Sequence, residues 1–198
     1  MNQSYWQKTT RKKAMPAIDK DMKTDIVIIG GGLAGISLAY QLKDSPYHII
    51  VLEKDEIGSH TSGHTTAKLT VLHDLLYQEI TKHYDIHQAY LYYHSNDKAL
   101  KQIKDIIKKE RISCDYQENT SYLYTDDPQC VQDIQNQKDI FHSLRVETVE
   151  DDSHLASLGL KNQAIFHPLK YLFALMRRCK KAHVEFYEHS EVTHIERK

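Results

Sequence analysis

The tightest constraint on this chain is six residues long. Gly30-Gly31-Gly32-Leu33-Ala34-Gly35 follows directly on Asp25-Ile26-Val27-Ile28-Ile29. The chain of 198 residues has only seven glycines, and four of them stand here. Glycine carries no Cβ, so such crowding in a glycine-poor chain marks a place where the backbone must be left bare. The four consecutive β-branched residues ahead of it predict a strand buried on both faces, as in a parallel sheet. Leu33–Lys43 sets Leu38, Ala39 and Leu42 at helical spacing and stops at Asp44-Ser45-Pro46. His48–Leu52 reads as a second strand, closed by Glu53. The whole run is a β–turn–α–β unit of roughly 30 residues.

The six residues fit the spacing GxGxxG, and each glycine has a separate physical task. Gly30 permits the sharp turn out of the strand. Gly32 lets a pyrophosphate approach the main chain. Gly35 lets the helix pack close to the sheet. The helix then offers free N–H groups and a positive dipole end to the phosphates. Glu53 lies eighteen residues beyond Gly35, near the ~20 at which an acid meets the ribose hydroxyls. A glycine-rich turn in an unrelated α/β fold leaves that acid unexplained. Glu53 also repels a 2′-phosphate, which the neighbouring Lys54 offsets only in part. Both NAD and FAD use such a unit. The loop 58–70 sets Thr61, Ser62, Thr65 and Thr66 beside Gly58 and Gly63. Hydroxyls and bare amides suit the far part of a long cofactor, and they equally suit an ordinary polar loop; spacing leaves both open.

Composition excludes several classes. Twenty-six basic and 27 acidic residues give a net charge of −1, which lacks the electrostatic footprint of nucleic-acid or membrane-surface binding. The 13 histidines turn the chain cationic only in mild acid. No apolar run approaches the ~18 residues of a membrane span. The first 24 residues are basic without an apolar stretch, so neither a signal peptide nor an anchor is expected. Cys114, Cys130 and Cys179 form no close pair, which predicts free thiols in a reducing, cytoplasmic setting. His83, His87 and His94 share a helical face without HExxH or a matching carboxylate set, so no metal site is expected. Tyr90, Tyr92 and Tyr93 read as helix packing rather than a base-stacking platform.

Elsewhere the pattern predicts a polar extension over 1–23, draped on a domain, and helices over Asp74–His83 and Ile86–Lys109. It predicts a hairpin of Asp115–Glu118 with Ser121–Thr125 around Asn119-Thr120, and a helix from Asp127-Pro128 toward Ile140. A strand over Arg145–Val149, a helix over Pro168–Lys180 and two closing strands, Val184–Tyr187 and Val192–Glu196, complete the chain.

TDIVIIGGGLAGISLAYQL and VLEKDEIGSHTSGHTTAKLT, with GHTTAK at Gly63–Lys68 as the specific part, resemble the FAD-dependent oxidoreductases of the D-amino acid oxidase superfamily. The chain is particularly similar to the bacterial branch that carries a C-terminal Rieske iron–sulfur domain. Ser4–Trp6, HPLKYLFAL and EFYEHSEVTHIE extend the likeness over essentially the whole chain. The resemblance implies an α/β fold: a Rossmann-like FAD-binding domain of the ββα type with a parallel sheet, interleaved with part of an α+β substrate domain. Its expected bounds are 24–110 and 168–198 for the FAD-binding parts and 111–167 for the substrate part. It implies that Gly30, Gly31, Gly32, Gly35 and the amides of Leu33 and Ala34 hold the pyrophosphate. Glu53, with Lys54 beside it, then meets the adenosine ribose, and Val192 the adenine through its main chain. Ser62, His64, Thr65, Thr66, Ala67 and Lys68 approach the riboflavin side, His64 as a contact or a covalent tether and Lys68 as a cation for the reduced ring. The implied reaction is hydride transfer from the carbon of an amine or amino-acid substrate to FAD, with an iron–sulfur electron acceptor. No catalytic acid or base is singled out. The three cysteines stand in no CxH or CxxH pair, so the iron–sulfur module is expected outside this chain, which corresponds to the N-terminal part of such a protein. A plain NAD-binding domain and a catalytically inactive dinucleotide-binding fragment are the alternatives.

Overall fold

A computed structural model describes residues 3–196. The expected domain bounds at residues 1 and 198 lie outside the described residues. In chain order the elements are α1 (Tyr5–Lys8), β1 (Ile26–Ile29), α2 (Leu33–Leu42), β2 (Ile49–Leu52), β3 (Lys68–Leu69), α3 (Leu76–His83), α4 (Ile86–Glu110), β4 (Gln117–Thr125), α5 (Val131–Ser143), β5 (Ala156–Ile165), α6 (Pro168–Lys181) and β6 (Glu185–Tyr187). Two compact units alternate along the sequence. Among the described residues, those up to 67, 112–114 and those from 167 onward form the first, and residues 68–111 and 115–166 the second. The expected division at residue 110 therefore falls earlier, at 67, because α3 and α4 join the second unit's core.

In the first unit β1, β2 and β6 form a parallel sheet in the order β1-β2-β6. Ile28 pairs with Val51, and Val51 with Phe186. The middle strand buries Ile49, Ile50 and Val51, as its unbroken apolar run requires. The first strand departs from the expectation of burial on both faces: Val27 and Ile29 are 47% and 57% exposed. β1 is an edge strand, and only Ile28 of its four residues is buried. The α6 helix packs against α2 and buries Leu169, Leu172, Phe173, Leu175, Met176 and Cys179. Lys170, Arg177 and Lys181 share the opposite face, so α6 is an amphipathic helix that buries a wide apolar face in the core. Pro168 opens it and the buried His167 side chain caps it by accepting from the Lys170 N–H. Burial pushes the Cys179 thiol up to about 12, so it stays protonated. No disulfide joins the three cysteines; Cys114 and Cys179 are buried and Cys130 is exposed.

The second unit is an antiparallel sheet in the order β3-β5-β4 with α3, α4 and α5 packed on it. Its core gathers Val71, Tyr77, Ile134, Phe141, Leu158 and Leu160. Asp85 caps α4 by accepting from the Gln88 N–H at 2.8 Å. Tyr92 and Tyr93 lean on this core, in keeping with helix packing. His83 sits beside Glu79, and His87 and His94 lie against the Tyr90 ring.

Four sequence expectations are corrected. The predicted hairpin at Asn119-Thr120 is one continuous strand, β4, with a register shift between Asn119 and Ser121. Its partner is β5, whose sequence ASLGLKNQAI gave no strand signal. Arg145–Val149 forms no strand; only Val149 makes a bridge, to Gly159. Val192–Glu196 runs without regular structure. The loop 58–70 holds a single 3-10 turn, Thr61–Gly63, and ends in β3.

The extension before β1 is bound into the first unit through one buried acid. Glu188 is 1% exposed. It accepts from the Met15 N–H at 2.8 Å and the Ile57 N–H at 2.6 Å and pairs with Lys12. Glu188 N–H in turn donates to the Pro16 carbonyl at 3.0 Å. Burial alone pushes this carboxyl up, but Lys12 and the two amides outweigh it and hold the carboxyl below the ordinary 4.5. A carboxyl lowered on folding lends stability at neutral pH, and that stability is lost as pH falls through the folded value. Glu188→Gln should therefore cost about 3 kcal/mol at pH 7. The cost should shrink as pH falls through the folded carboxyl's value, which lies below 4.5, because the native acid then becomes protonated. Urea melts of both proteins over a descending pH series check this.

Candidate functional site

Backbone geometry at the glycine turn fits the steric tasks read for Gly30 and Gly35. Gly30 has φ +102°, a conformation L side chains rarely adopt. A Cβ at Gly35 would lie 2.0 Å from the Gly30 carbonyl oxygen. Helix α2 thus reaches its seat only because position 35 carries no side chain. A Cβ at Gly32, by contrast, would meet only the Ser62 Oγ, at 3.1 Å, and one at Gly30 would meet nothing within 4 Å. The outer side of the turn is open.

The first helical N–H groups have no partner inside their own helix. The Leu33 N–H donates to the Ser62 Oγ at 2.9 Å. Among the described residues no acceptor meets the N–H groups of Gly32 or Ala34. Ala34 itself is exposed. Bare backbone, unanswered donors and a helix N-terminus together suit an anionic linker.

Glu53 ends β2 and is 7% exposed. Its carboxylate accepts from the Gly31 N–H at 2.7 Å and the Asp55 N–H at 3.0 Å, one on each oxygen. Each oxygen keeps a lone pair for a further donor. The residue assigned to a ribose therefore also fixes the turn, a role its spacing did not disclose. Lys54 is exposed, 3.9 Å from Asp55. Glu53, Asp55 and His60 bring ligand-type atoms within 4.8 Å of one another. His60 is already paired with Asp55 at 2.6 Å.

The hydroxyl loop lies beside a cleft of about 1050 Å³, lined by Gln7, Gly58, Thr61, His64, Leu169 and Phe173 among others. Residues 30–35 do not line it. His64 is exposed, with Nδ1 2.9 Å from the His60 carbonyl. Thr65 Oγ1 accepts from the Ala67 N–H at 3.3 Å. Thr66 is exposed, and Ala67 is buried at φ +63°. Lys68 opens β3 and belongs to the second unit. Val192 is half-buried in the irregular closing segment. The structure thus gathers Gly30, Gly31, Gly32, Leu33, Ala34, Gly35, Glu53 and Ser62 around one turn. No helix of the described residues is long and apolar enough to cross a membrane.

Comparison with known proteins agrees with this geometry. The model of the DAO family, FAD dependent oxidoreductases, matches residues 25–198. YhfW of Bacillus subtilis (strain 168), named for a Rieske 2Fe-2S iron-sulfur centre, is 35% identical over 202 residues, covering 98% of this chain and 40% of its own length. Among solved structures, L-amino acid deaminase from Proteus myxofaciens superposes with a TM-score of 0.67 at 15% identity, covering 91% of this chain and 42% of that one. L-alpha-glycerophosphate oxidase from Mycoplasma pneumoniae, with FAD bound, gives 0.65 at 14%, covering 87% and 46%. The chain spans less than half the length of each. The two structures establish a shared α/β, Rossmann-like fold, and the family match establishes FAD as the family's cofactor. The chain belongs to the DAO family of FAD-dependent oxidoreductases.

Proposed function

We propose that this chain holds the ADP half of FAD on the Gly30–Gly35 turn, as the nucleotide-binding part of an oxidoreductase acting on an amine or amino acid. The observation that carries the reading is the open turn itself. Among the described residues its Gly32 and Ala34 donors are unanswered and its Leu33 donor is met by Ser62, and a buried carboxylate stands at the end of the next strand. In this reading the Gly32, Leu33 and Ala34 amides and the Ser62 hydroxyl hold the pyrophosphate. Glu53 accepts from the ribose hydroxyls with its remaining lone pairs, and Lys54 and Val192 flank the adenosine. His64, Thr65, Thr66, Ala67 and Lys68 serve the riboflavin side. FAD, when bound, supplies the hydride-accepting chemistry. The protein's own part is to bind and orient.

The name of YhfW supports an iron–sulfur electron acceptor in the longer protein. Three cysteines outside any disulfide support a reducing, cytoplasmic setting. The purified chain, incubated with excess FAD and desalted, should retain about one flavin per chain. Acid precipitation should release all of it, since His64 makes a contact and not a tether in this reading. A colourless protein that retains NAD instead would overturn the proposal.

Two glycine substitutions separate folding from binding. Gly35→Ala drives a Cβ into the backbone and should cost about 3 kcal/mol, read as a lower urea midpoint. Gly32→Ala meets one side-chain oxygen at 3.1 Å and has φ −81°, so the fold should persist with its midpoint nearly unchanged. Its FAD affinity should nevertheless fall more than tenfold, because the methyl group occupies the approach to the amides. Isothermal titration of the folded variant measures this.

A further inference from the structure

We infer that α1 is a positioning clamp for the hydroxyl loop. Three contacts reach from this one helical turn and its N-cap to loop carbonyls. Gln7 Nε2 donates to the Ser59 carbonyl at 2.9 Å and Trp6 Nε1 to the Thr65 carbonyl at 2.8 Å. Ser4 Oγ donates to the Gly63 carbonyl. The turn is itself fixed by a reciprocal cap: Gln7 N–H donates to Ser4 Oγ at 3.2 Å, and Ser4 N–H to Gln7 Oε1 at 3.0 Å. Gln7 therefore uses both ends of its amide, one to build the helix and one to hold the loop. The Trp6 ring packs edge to face with both Tyr5 and the buried His167, with centroids 5.1 Å and 5.0 Å away.

The loop is shaped to receive the clamp. A Cβ at Gly63 would lie 2.5 Å from the Gly58 carbonyl oxygen and 3.2 Å from Gln7 Nε2. Between the clamped carbonyls sits the turn Thr61–Gly63, which sets Ser62 against the Leu33 N–H. The contacts therefore run from α1 through the loop backbone to Ser62 and on to the first amide of α2. A polar loop free to move would have to be ordered when a ligand binds, at a cost in affinity. Clamping it beforehand removes that cost. Trp6, Gln7 and Ser4 act through Ser62 and are positioning residues. The cofactor arm of this inference rests on the function proposed above; the loop-ordering arm does not.

The test uses the full chain. Trp6→Phe combined with Gln7→Glu removes two donors while keeping the aromatic ring and the oxygen that caps Ser4. Hydrogen–deuterium exchange of the unliganded protein should rise about tenfold in residues 58–66 and stay unchanged in α6 and β2. FAD affinity should fall about tenfold in parallel. Ser4→Ala should show a smaller effect of the same pattern, and Ser4→Thr, which keeps the hydroxyl, should restore it. Unchanged exchange in 58–66 overturns the clamp. An equal rise throughout the first unit also overturns it, since that marks general destabilisation. If the unaltered chain binds no FAD, the proposed function falls while the exchange result still decides the clamp.

Discussion

A side chain is absent at position 35, and much of the first unit follows from that absence. The Gly35 backbone lies so near the Gly30 carbonyl that a single methyl group would overlap it, at 2.0 Å. This closeness carries α2 directly out of the strand and points its free amides at the open side of the turn. Two contacts hold the arrangement. Glu53 reaches from the end of β2 to the Gly31 N–H, and Ser62 reaches from the hydroxyl loop to the Leu33 N–H. Two later segments of the chain thus converge on six residues. The convergence makes sense if the turn is a cradle, because every element around it limits where the main chain can move.

The β–turn–α–β unit was legible because its signals are local. β-branched residues, bare glycines and helical spacing each act over a few positions, and the acid at Glu53 lies at a fixed distance along one strand. The helices α4 and α6 were equally plain, the first from its apolar period and the second from Pro168. The failures have physical causes too. β5 pairs on both edges, with β3 and β4, yet its sequence holds Gly159, Lys161 and Asn162. Gly159 looks like a turn residue. It is instead the one residue that fits there, since a Cβ would come within 2.5 Å of the Tyr122 ring and 2.7 Å of Val149. Asn162 takes φ +60° where the β4–β5 register shifts. Without β5 in view, Asn119-Thr120 passes for a hairpin turn and Arg145–Val149 for a strand.

Contacts over long separations were not legible at all. Lys12 and Glu188 are ordinary charges in the sequence; only folding brings them together across the first unit and buries the acid. The same holds for Trp6 and Thr65. The one tryptophan in the chain, set in a polar extension, was the available signal that this segment packs against something. The extension is therefore part of the site's scaffold, anchored by Glu188 at one end and by α1 on the hydroxyl loop at the other.

The central claim is that the main chain of residues 32–34 receives the pyrophosphate of FAD. Amide chemical shifts of the isotopically labelled chain, followed by NMR as FAD is added, test it most directly. The account predicts the largest saturable shifts at Gly32, Leu33 and Ala34, with the Ser62 amide moving alongside. Saturable shifts confined to other residues, with these amides unmoved, would contradict it.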